Sequence, residues 1–503
     1  MRQLFPALIL AVSAWAGTPP ALEWNAWSAD TFARAKREDR FVLLDLEAVW
    51  CHWCHVMDAT TYQDPAAVAL LKSNYILVKV DQDSRPDLAS RYEDYGWPAT
   101  IVFDRDGHEI VKRQGYIAPQ EMVSMLRAIV ADPSPGPSVV AEQPIEFASS
   151  PMLPAEMREQ LAANYRLRYD SKNGSWGFQQ KFLDWDGVEY AMLLARQGDA
   201  QAEKMALQTL TAQLNLIDPV WGGVYQYSTD GDWKHPHFEK IMQFQAENMR
   251  IYALAWQQFH KPEYLQAALA IRRFLRTFLT SPDGAFYTSQ NADLIDGQHS
   301  AAYFKLNDAA RRRLGVPRVD RHIYARENGW AIAGLAVLGR TTEDATCLAD
   351  AERAANWVMA HRSLDGGGFR HDEKDAAGPY LGDTLAMTRA FLSLYAATHD
   401  RAWLERAQTS LEFIAANFRN TAGAGYVTAR GGTDAGYRPH PERDENVALA
   451  RAANAIWRAG GDAKFRRIAE EAMRYVVTPQ VARAYTAAPT LLADAELAVD
   501  EAP

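Results

Sequence analysis

The sequence is poor in cysteine: its 503 residues include three, Cys51, Cys54 and Cys347. Three cysteines are too few for the disulfide framework of a small secreted domain. The fold must therefore be stabilised by packing. Two of the three lie in one C-x-x-C, which indicates chemistry rather than scaffolding. Cys347 falls in a helical stretch and is predicted to be a buried, unreactive thiol.

Long basic runs and long apolar runs are also missing. The net charge is −10, and nucleic-acid binding needs clustered lysine and arginine, so no nucleic-acid partner is expected. The short run Arg311-Arg312-Arg313 is interpreted as a solvated helix end. No segment beyond the first residues is long and apolar enough to cross a bilayer, so the mature protein is expected to have no membrane span.

The first sixteen residues have the pattern of a secretory signal. Arg2 supplies a positive start, residues 4–12 are mainly apolar, and Ala14-Trp15-Ala16 resembles a cleavage site. The apolar stretch is too short for a spanning helix, although a retained N-terminal anchor is an alternative. We therefore expect a signal peptide over residues 1–16 and an exported protein, periplasmic or secreted.

Residues 22–131 have the element order of an α/β thioredoxin-like domain. Strands are predicted at 41–46, 75–80, 100–103 and 108–112, with helices after the C-x-x-C and at 120–130. The segment 132–137, DPSPGP, cannot continue a helix because of its prolines and glycine. A linker is therefore predicted over residues 132–153.

Residues 154–503 are predicted to be all helical, because apolar residues recur at spacings of three and four. Between helices a glycine–aromatic loop recurs, at residues 173–178, 221–227, 283–287, 365–370 and 422–427. About a dozen helices fit this length. Repeated helical hairpins of this kind indicate either a closed α/α toroid or an open helical solenoid.

The motif Cys51-His52-Trp53-Cys54 follows a predicted strand and opens a helix. At a helix N-terminus the first sulfur is stabilised as thiolate, which is the form that attacks disulfides. Cys51 is therefore the predicted nucleophile, and Cys54 is the predicted resolving thiol.

Four further features resemble thioredoxins. Asp45 lies in the preceding strand where thioredoxins keep a buried acid, Trp50 precedes Cys51, and Lys79 stands at the position of their paired lysine. Trp97-Pro98-Ala99-Thr100 resembles the loop with their cis-proline, which shapes a groove for a partner chain.

The resemblance gives these residues roles. Asp45 would take or relay the proton of Cys54, or serve as a structural acid paired with Lys79. His52 would stabilise the thiolate and make the disulfide more oxidising, or be exposed and idle.

Two metal-centred alternatives compete for the same motif. Cys51-His52-Trp53-Cys54-His55 also satisfies the C-x-x-C-H pattern of c-type haem attachment. Zinc could be held by both cysteines and His55, but no second C-x-x-C or H-x-x-x-H completes such a site. We therefore expect neither a metal nor a cofactor.

A longer resemblance places the sequence beside the DUF255 thioredoxin-containing family, typified by spermatogenesis-associated protein 20. The matching segments are VWCHWCHVM around Cys51, Lys79-Val80-Asp81 with Arg85-Pro86-Asp87, Gly96-Trp97-Pro98, and YSTD…W…PHFEK over residues 227–240. The resemblance implies a thioredoxin-like domain followed by an (α/α)6 barrel similar to sugar 2-epimerases and six-hairpin glycosidases, and so favours the closed toroid.

The sequence departs from that family in three places. The connection from Arg85-Pro86-Asp87 to Gly96-Trp97-Pro98 is shortened. Asn291-Ala292-Asp293 stands where the family has a DADS-like acidic segment, and Arg443-Asp444-Glu445-Asn446 replaces a P-S-G-N-S-like stretch. We therefore expect any barrel activity of relatives to be altered or lost here.

Candidate ligand-binding residues in the barrel are of two kinds. Histidine beside carboxylate can exchange protons with a sugar, and tryptophan can stack on a sugar face. These candidates are His235, His237, Glu239, Trp233, Trp221, Asp293 and Asp383. Asn328 is a further candidate, because Glu327-Asn328-Gly329 resembles the family's N-G element opening a helix and would line the same cavity. The alternative for each is an ordinary packing role.

The first functional hypothesis is an exported thiol–disulfide oxidoreductase acting on protein thiols and disulfides through its CHWC dithiol, fused to a helical barrel of unknown ligand. The second is a carbohydrate-processing or carbohydrate-binding, epimerase-like barrel with an accessory thioredoxin domain. The third is a non-catalytic interaction protein. The direction of the redox reaction depends on a potential that the residues do not fix.

Overall fold

The structure is a computed structural model that describes residues 22–140, 144–431, 439–484 and 486–499. The predicted signal peptide, residues 1–16, lies outside the described residues. Among the described helices, none combines the length and the apolar character that a bilayer crossing requires.

The first region is a five-stranded sheet covered by helices. Its strands are β1 (Trp24–Asn25), β2 (Phe41–Glu47), β3 (Tyr75–Asp81), β4 (Ala99–Phe103) and β5 (Glu109–Gln114). Its helices are α1 (Ala29–Glu38), α2 (His52–Ala59), α3 (Pro65–Asn74), α4 (Pro86–Arg91) and α5 (Pro119–Ala131). This is the predicted thioredoxin-like order.

The sheet has the strand order β1-β3-β2-β4-β5, with β1, β3 and β2 parallel and β4 and β5 antiparallel. Strand β2 is buried on both faces. Val42 and Leu44 pack into one apolar cluster, whereas Leu43 packs into another on the opposite face. A strand covered on both sides needs a continuous apolar run, which explains FVLLDL. Asp45 interrupts that run.

The second region is all helical apart from short two-residue strands. Its helices are α6 (Ala155–Leu167), α7 (Trp185–Arg196), α8 (Ala200–Gln213), α9 (Met242–Phe259), α10 (Pro262–Phe274), α11 (Ala301–Phe304), α12 (Asp308–Leu314), α13 (Ala325–Thr342), α14 (Ala345–Arg362), α15 (Leu381–Thr398), α16 (Arg401–Asn417), α17 (Arg443–Gly460), α18 (Ala463–Val476), α19 (Pro479–Ala484) and α20 (Ala487–Leu497). The short strands are β6 (Tyr227–Ser228), β7 (Pro236–His237), β8 (Lys240–Ile241), β9 (Ser289–Gln290) and β10 (Val319–Asp320).

Six of these helices form a closed inner ring. Around the ring, α7 packs on α9, and α13, α15, α17 and α20 follow until α20 returns to α7. Each inner helix has one outer partner: α8, α10, α14, α16, α18 and α6, respectively. The predicted (α/α)6 toroid is therefore confirmed, and the open solenoid is wrong.

The recurrent glycine–aromatic loops precede the inner helices and lie at one end of the ring. Polar side chains of those helices hold the loops: Gln245 accepts the backbone N–H of Val224 at 2.7 Å, and Asn328 accepts that of Phe286 at 2.8 Å. Gly222 has φ +74°, and a Cβ there would collide with the carbonyl oxygen of Ala270. The loop therefore requires glycine at this position.

The thioredoxin-like domain packs against this loop-bearing end of the ring. The backbone N–H of Ala292 donates to the carbonyl oxygen of Trp50 at 3.4 Å, and Nε2 of His371 lies 2.6 Å from the carbonyl oxygen of Asp83. The guanidinium of Arg318 donates to the carbonyl oxygen of Val49 at 3.2 Å. The C-x-x-C end of the sheet therefore faces the barrel.

The interpretation of Arg311-Arg312-Arg313 as a solvated helix end is wrong for Arg311. Its side chain is fully buried, and its guanidinium donates two hydrogen bonds to Asp218, at 2.7 and 3.1 Å. The carboxylate of Asp218 also accepts from Nζ of Lys240 at 2.8 Å. A buried guanidinium requires such a partner, and this partner is distant in sequence.

Candidate functional site at the domain interface

Cys51 and Cys54 form a disulfide bond at the start of α2. Cys51 is the N-cap residue of that helix, and its sulfur accepts the backbone N–H of Cys54 at 3.1 Å. Both residues are buried, with Cys51 4% exposed. When the bond is reduced, the same N–H and the helix dipole stabilise a thiolate at Cys51.

Asp45 lies in β2 next to Lys79 of β3 and Thr100 of β4, as the strand register dictates. Its Oδ2 is 3.4 Å from Nζ of Lys79, and its Oδ1 is buried with no hydrogen-bond partner. Burial raises the pKa of Asp45 to about 7, against the opposing charge of Lys79. A buried carboxyl with this pKa can gain and lose a proton near neutral pH.

Lys79 serves more than one carboxylate. Its ammonium lies 2.6 Å from Asp58 and 2.9 Å from Glu47, closer than to Asp45. The sequence prediction paired it with Asp45 alone. Because Lys79 is shared among three acids, it neutralises Asp45 only in part, which is consistent with the raised pKa of that carboxyl.

The Trp97–Pro98 peptide bond is cis, as predicted. The carbonyl oxygen of Pro98 accepts the backbone N–H of Gly115 at 2.8 Å, which fixes the loop on the sheet edge. Trp97 and Trp50 lie with their ring centres 6.1 Å apart. The indole of Trp50 donates to Asp83 at 2.8 Å.

His52 is buried and held by a barrel residue. Its Nδ1 lies 2.8 and 2.9 Å from the two carboxylate oxygens of Asp293. Although burial opposes the charged imidazolium, the hydrogen bond and the charge of Asp293 outweigh it, and the pKa of His52 is raised. The same contacts overcome burial at Asp293 and hold its pKa at about 2. Each partner therefore favours the charged form of the other.

His55 contacts the same barrel carboxylate. Its Nδ1 is 3.3 Å from Asp293, and its Nε2 is 3.4 Å from the guanidinium of Arg318. The disulfide and these contacts to His55 suit the dithiol hypothesis better than haem attachment or zinc binding.

Glu239 of the barrel reaches the start of α2. Its Oε1 accepts the backbone N–H of His52 at 3.4 Å, and its Oε2 has no hydrogen-bond partner. Nδ1 of His237 is 3.9 Å from Oε2, and the His237 ring stacks on Tyr227 at 4.3 Å. The structure thus brings Glu239, His237 and Asp293, predicted as sugar ligands, to the edge of the C-x-x-C.

A cleft of about 450 Å³ opens beside Cys51. Aromatic and amide side chains form both walls: Trp50, Trp97 and Tyr116 from the thioredoxin-like domain, and Gln226, Tyr227 and Phe244 from the barrel. Cys51 and Glu239 both line this cleft. A substrate reaching Cys51 by this route therefore contacts both domains.

The other predicted barrel candidates lie elsewhere. The indoles of Trp221 and Trp233 are buried and donate to Asp308 and to the carbonyl oxygen of Asn173, at 2.8 and 2.7 Å. His235 is half exposed and lies 3.0 Å from Asp232. Asn328 holds the loop before α13. None of these contacts brings the four side chains together.

Asp383 belongs to a separate buried polar cluster beneath the thioredoxin-like domain. Its Oδ1 accepts the backbone N–H of Arg326 at 2.9 Å and lies 2.8 Å from Nδ1 of His371. Burial opposes a charge on His371, but Asp383 outweighs it and raises the pKa of His371 to about 9. Sequence reasoning missed His371, although it directly follows the glycine loop 365–370.

Two groups of carboxylates lie close enough to share a metal ion, among the residues that the structure describes: Asp45 with Glu47 and Asp58, and Asp81 with Asp83 and Asp320. In the first group the ammonium of Lys79 contacts all three acids. The second group joins the end of β3 to β10 across the domain interface.

Fold and site together define a class: a thioredoxin-like domain with a C-x-x-C disulfide, mounted on the loop-bearing end of an (α/α)6 toroid. A family model described as "Protein of unknown function, DUF255" matches residues 16–131. Over residues 16–131 the chain is therefore similar to this DUF255 family.

Relatives match different shares of the chain. Spermatogenesis-associated protein 20 of Homo sapiens is 22% identical over 571 residues, covering 86% of this chain and 72% of the relative. The protein of the same name from Mus musculus is 26% identical over 306 residues, covering 54% of this chain and 39% of the relative. Thioredoxin of Mycoplasmoides gallisepticum is 33% identical over 86 residues, 17% of this chain and 81% of that protein.

Solved structures resemble the helical region. D-mannose isomerase has a TM-score of 0.52 at 13% identity, covering 68% of this chain and 97% of that chain. Cellobiose 2-epimerase from Spirochaeta thermophila has the same TM-score and identity, and the match covers 68% of this chain and 95% of that chain. At this identity the likeness establishes the toroid fold alone.

Proposed function

We propose that the protein is a thiol–disulfide oxidoreductase whose dithiol works at the base of a cleft completed by the barrel. The observation that carries this proposal is the Cys51–Cys54 disulfide at the N-terminus of α2, which packs with Trp97 and opens to the cleft. Following the secretory pattern of the first sixteen residues, we place the activity outside the cytoplasm, with protein thiols and disulfides among its substrates.

The chemistry assigns one role to each sulfur. The Cys51 thiolate attacks a disulfide and forms a mixed disulfide, which Cys54 then resolves. Cys54 must lose its proton for this step, and Asp45, with a pKa of about 7 and an unpartnered oxygen, is the group we assign to accept it. We assign Pro98 the role of shaping the cleft wall, which its neighbours Gly96 and Trp97 line.

The barrel contributes charge to this site. Asp293 favours the protonated form of His52 and fixes its ring one residue from Cys51. A fixed cation close to a cysteine lowers the thiol pKa and makes the disulfide more oxidising. We therefore assign Asp293 as a positioning residue for the dithiol and His52 as the group that stabilises the thiolate.

Replacing Cys54 with serine tests the order of the two sulfurs. The Cys54→Ser variant is expected to accumulate a mixed disulfide on Cys51, because attack proceeds and resolution does not. Intact mass spectrometry after mixing with a peptide disulfide, followed by peptide mapping, identifies the adduct and the cysteine that carries it.

The matched control is Cys51→Ser, which retains Cys54 and is expected to carry no adduct. An adduct on Cys54 in that control, equal in yield to the adduct on Cys51, would reverse the assigned roles. Absence of an adduct from both variants would contradict the oxidoreductase proposal.

A second candidate function is binding of a carbohydrate in the barrel. A cavity of about 490 Å³ inside the helical ring is lined by charged side chains, including Asp186, Glu247, Arg250, Arg389 and Arg451. The toroid neighbours named above are a sugar isomerase and a sugar epimerase. A rise in melting temperature with mannose or cellobiose that Arg389→Met abolishes would support this candidate, and no shift with either sugar would count against it.

A further inference from the structure

The cleft beside Cys51 is narrow and has an almost uncharged lining. Its walls come from two domains, its volume is about 450 Å³, and Cys51 is 4% exposed at its base. Cavities of this size match small molecules or a few residues of extended chain rather than a folded protein surface. A disulfide of a protein partner therefore fits this cleft only where it lies on a short extended segment.

Glu239 is the one charged side chain among the described residues that line the cleft. It is 3% exposed, Oε1 accepts the backbone N–H of His52, and Oε2 has no hydrogen-bond partner. A buried carboxylate oxygen without a donor costs free energy unless a ligand or water supplies one. The structure therefore leaves a hydrogen-bond acceptor open next to the reactive sulfur.

The charges around Glu239 leave a negative balance. His237 approaches Oε2 at 3.9 Å, beyond hydrogen-bond distance. Nδ1 of His52 already pairs with the carboxylate of Asp293, at 2.8 Å. Because His52 and Asp293 pair with each other, the Glu239 carboxylate adds a negative charge to the site. An ammonium group is the complementary partner for such a site, and aromatic walls also favour cations.

We propose that the cleft selects small thiols and disulfides that carry an ammonium group, with Glu239 as the residue that recognises the ammonium. This inference rests on the proposed oxidoreductase function and names its substrate class. The aromatic walls hold the short carbon chain between the ammonium and the sulfur, and Glu239 positions that sulfur at Cys51.

The reaction balances with the protein dithiol as reductant. The Cys51 thiolate attacks one sulfur of R–S–S–R, a Cys51–S–S–R bond forms, and one R–S⁻ leaves and takes a proton. Cys54 gives its proton to Asp45 and attacks the Cys51 sulfur, which releases the second R–S⁻. This thiolate takes up a proton from solvent, and Asp45 returns its own proton to solvent. The net change converts the protein dithiol and R–S–S–R into the protein disulfide and two R–SH.

Three disulfides of similar size test the selection. Cystamine carries ammonium groups, bis(2-hydroxyethyl) disulfide is neutral, and 3,3′-dithiodipropionate carries carboxylates. The reduced full-length protein is mixed with each, and the second-order rate constant is divided by that of dithiothreitol with the same disulfide. We expect a normalised preference of about tenfold for cystamine over the neutral compound, the worth of one charge-assisted hydrogen bond. The anionic compound is expected to react most slowly.

The Glu239→Gln variant is expected to lose this preference while still reducing the neutral disulfide. The matched control is Glu263→Gln, which changes an exposed glutamate at the start of outer helix α10 and should keep the preference. An unchanged preference in Glu239→Gln, or equal normalised rates in the native protein, would overturn the inference and leave the oxidoreductase proposal standing. Failure of the native protein to reduce any of the three would overturn both.

A peptide arm identifies where the ammonium comes from. A short linear peptide disulfide with lysine beside each cysteine is compared with its glutamine counterpart. Equal rates for these peptides, with cystamine still preferred, support a free small molecule as the substrate. A lysine preference that Glu239→Gln removes, without a preference for cystamine, would overturn the assignment to small molecules.

Discussion

Replacement of Cys51 with serine is expected to lower the rate of disulfide reduction by on the order of 10³-fold or more. A serine hydroxyl is not ionised at neutral pH, and it cannot form a disulfide. The helix N-terminus and His52, which stabilise a thiolate, then have no anion to stabilise. The measurement is the turnover of bis(2-hydroxyethyl) disulfide with dithiothreitol as reductant, corrected for the uncatalysed reaction.

Cys347→Ser is the matched control for that loss. Cys347 is fully buried in α14, and burial raises the pKa of its thiol to about 12, so it is neither accessible nor ionised. The control is expected to keep the native rate. A native rate in Cys51→Ser, or an equal loss in Cys347→Ser, would contradict the assignment of the nucleophile.

Replacement of Asp218 with asparagine is expected to destabilise the protein by about 3–5 kcal/mol, the cost of breaking a buried ion pair. Asp218 is fully buried between Lys240 and Arg311, and both cations are fully buried as well. Asparagine leaves them facing each other without a negative charge. Urea unfolding at neutral pH, followed by tryptophan fluorescence, gives the change in the free energy of unfolding.

The pH dependence supplies a second readout of the same cluster. Although burial opposes ionisation of Asp218, Lys240 and Arg311 hold its pKa at about 2, below that of an unfolded chain. Its contribution to stability is therefore complete above pH 4 and is lost as the pH falls towards 2. Asp218→Asn should remove that part of the acid slope.

Asp365→Asn is the control for the stability prediction, because Asp365 is an exposed acid in an equivalent glycine loop. It is expected to change the free energy of unfolding by less than about 0.5 kcal/mol. A similarly small change in Asp218→Asn would show that the buried ion cluster does not stabilise the barrel.

The thioredoxin-like half of the site could be predicted from sequence because its geometry is local. The positions of Asp45, Lys79 and Cys51 follow from the register of adjacent strands and from one strand-to-helix junction. Strand registry and helix capping are set by neighbouring residues, so their sequence signals are direct. The cis peptide bond before Pro98 could also be predicted, because residues 97–100 resemble the cis-proline loop of thioredoxins.

The barrel half of the site could not be predicted in the same way. Asp293 and Glu239 meet His52 from 241 and 187 residues away along the chain. Their position depends on how the two domains pack, which no local pattern encodes. The sequence did indicate both acids as chemically active residues, but it assigned them to a sugar site within the barrel.

The buried Arg311 shows a related limit. A run of three arginines normally faces solvent, and Arg312 does remain about half exposed. Arg311 is drawn inward by Asp218, which lies 93 residues earlier in the loop before α9. A run of charged residues predicts exposure only if no opposite charge from a remote part of the sequence is buried beside it in the fold.

The most direct test of the central claim is a redox titration of the full-length protein. The protein is equilibrated in buffers with different ratios of reduced to oxidised dithiothreitol and then quenched in acid. Its free thiols are alkylated, and the number of labels is measured by intact mass spectrometry. The account predicts one reversible two-electron transition in which Cys51 and Cys54 gain or lose their labels together, while Cys347 does not change. A pair that stays fully oxidised or fully reduced at every ratio, or sulfurs that titrate independently, would contradict it.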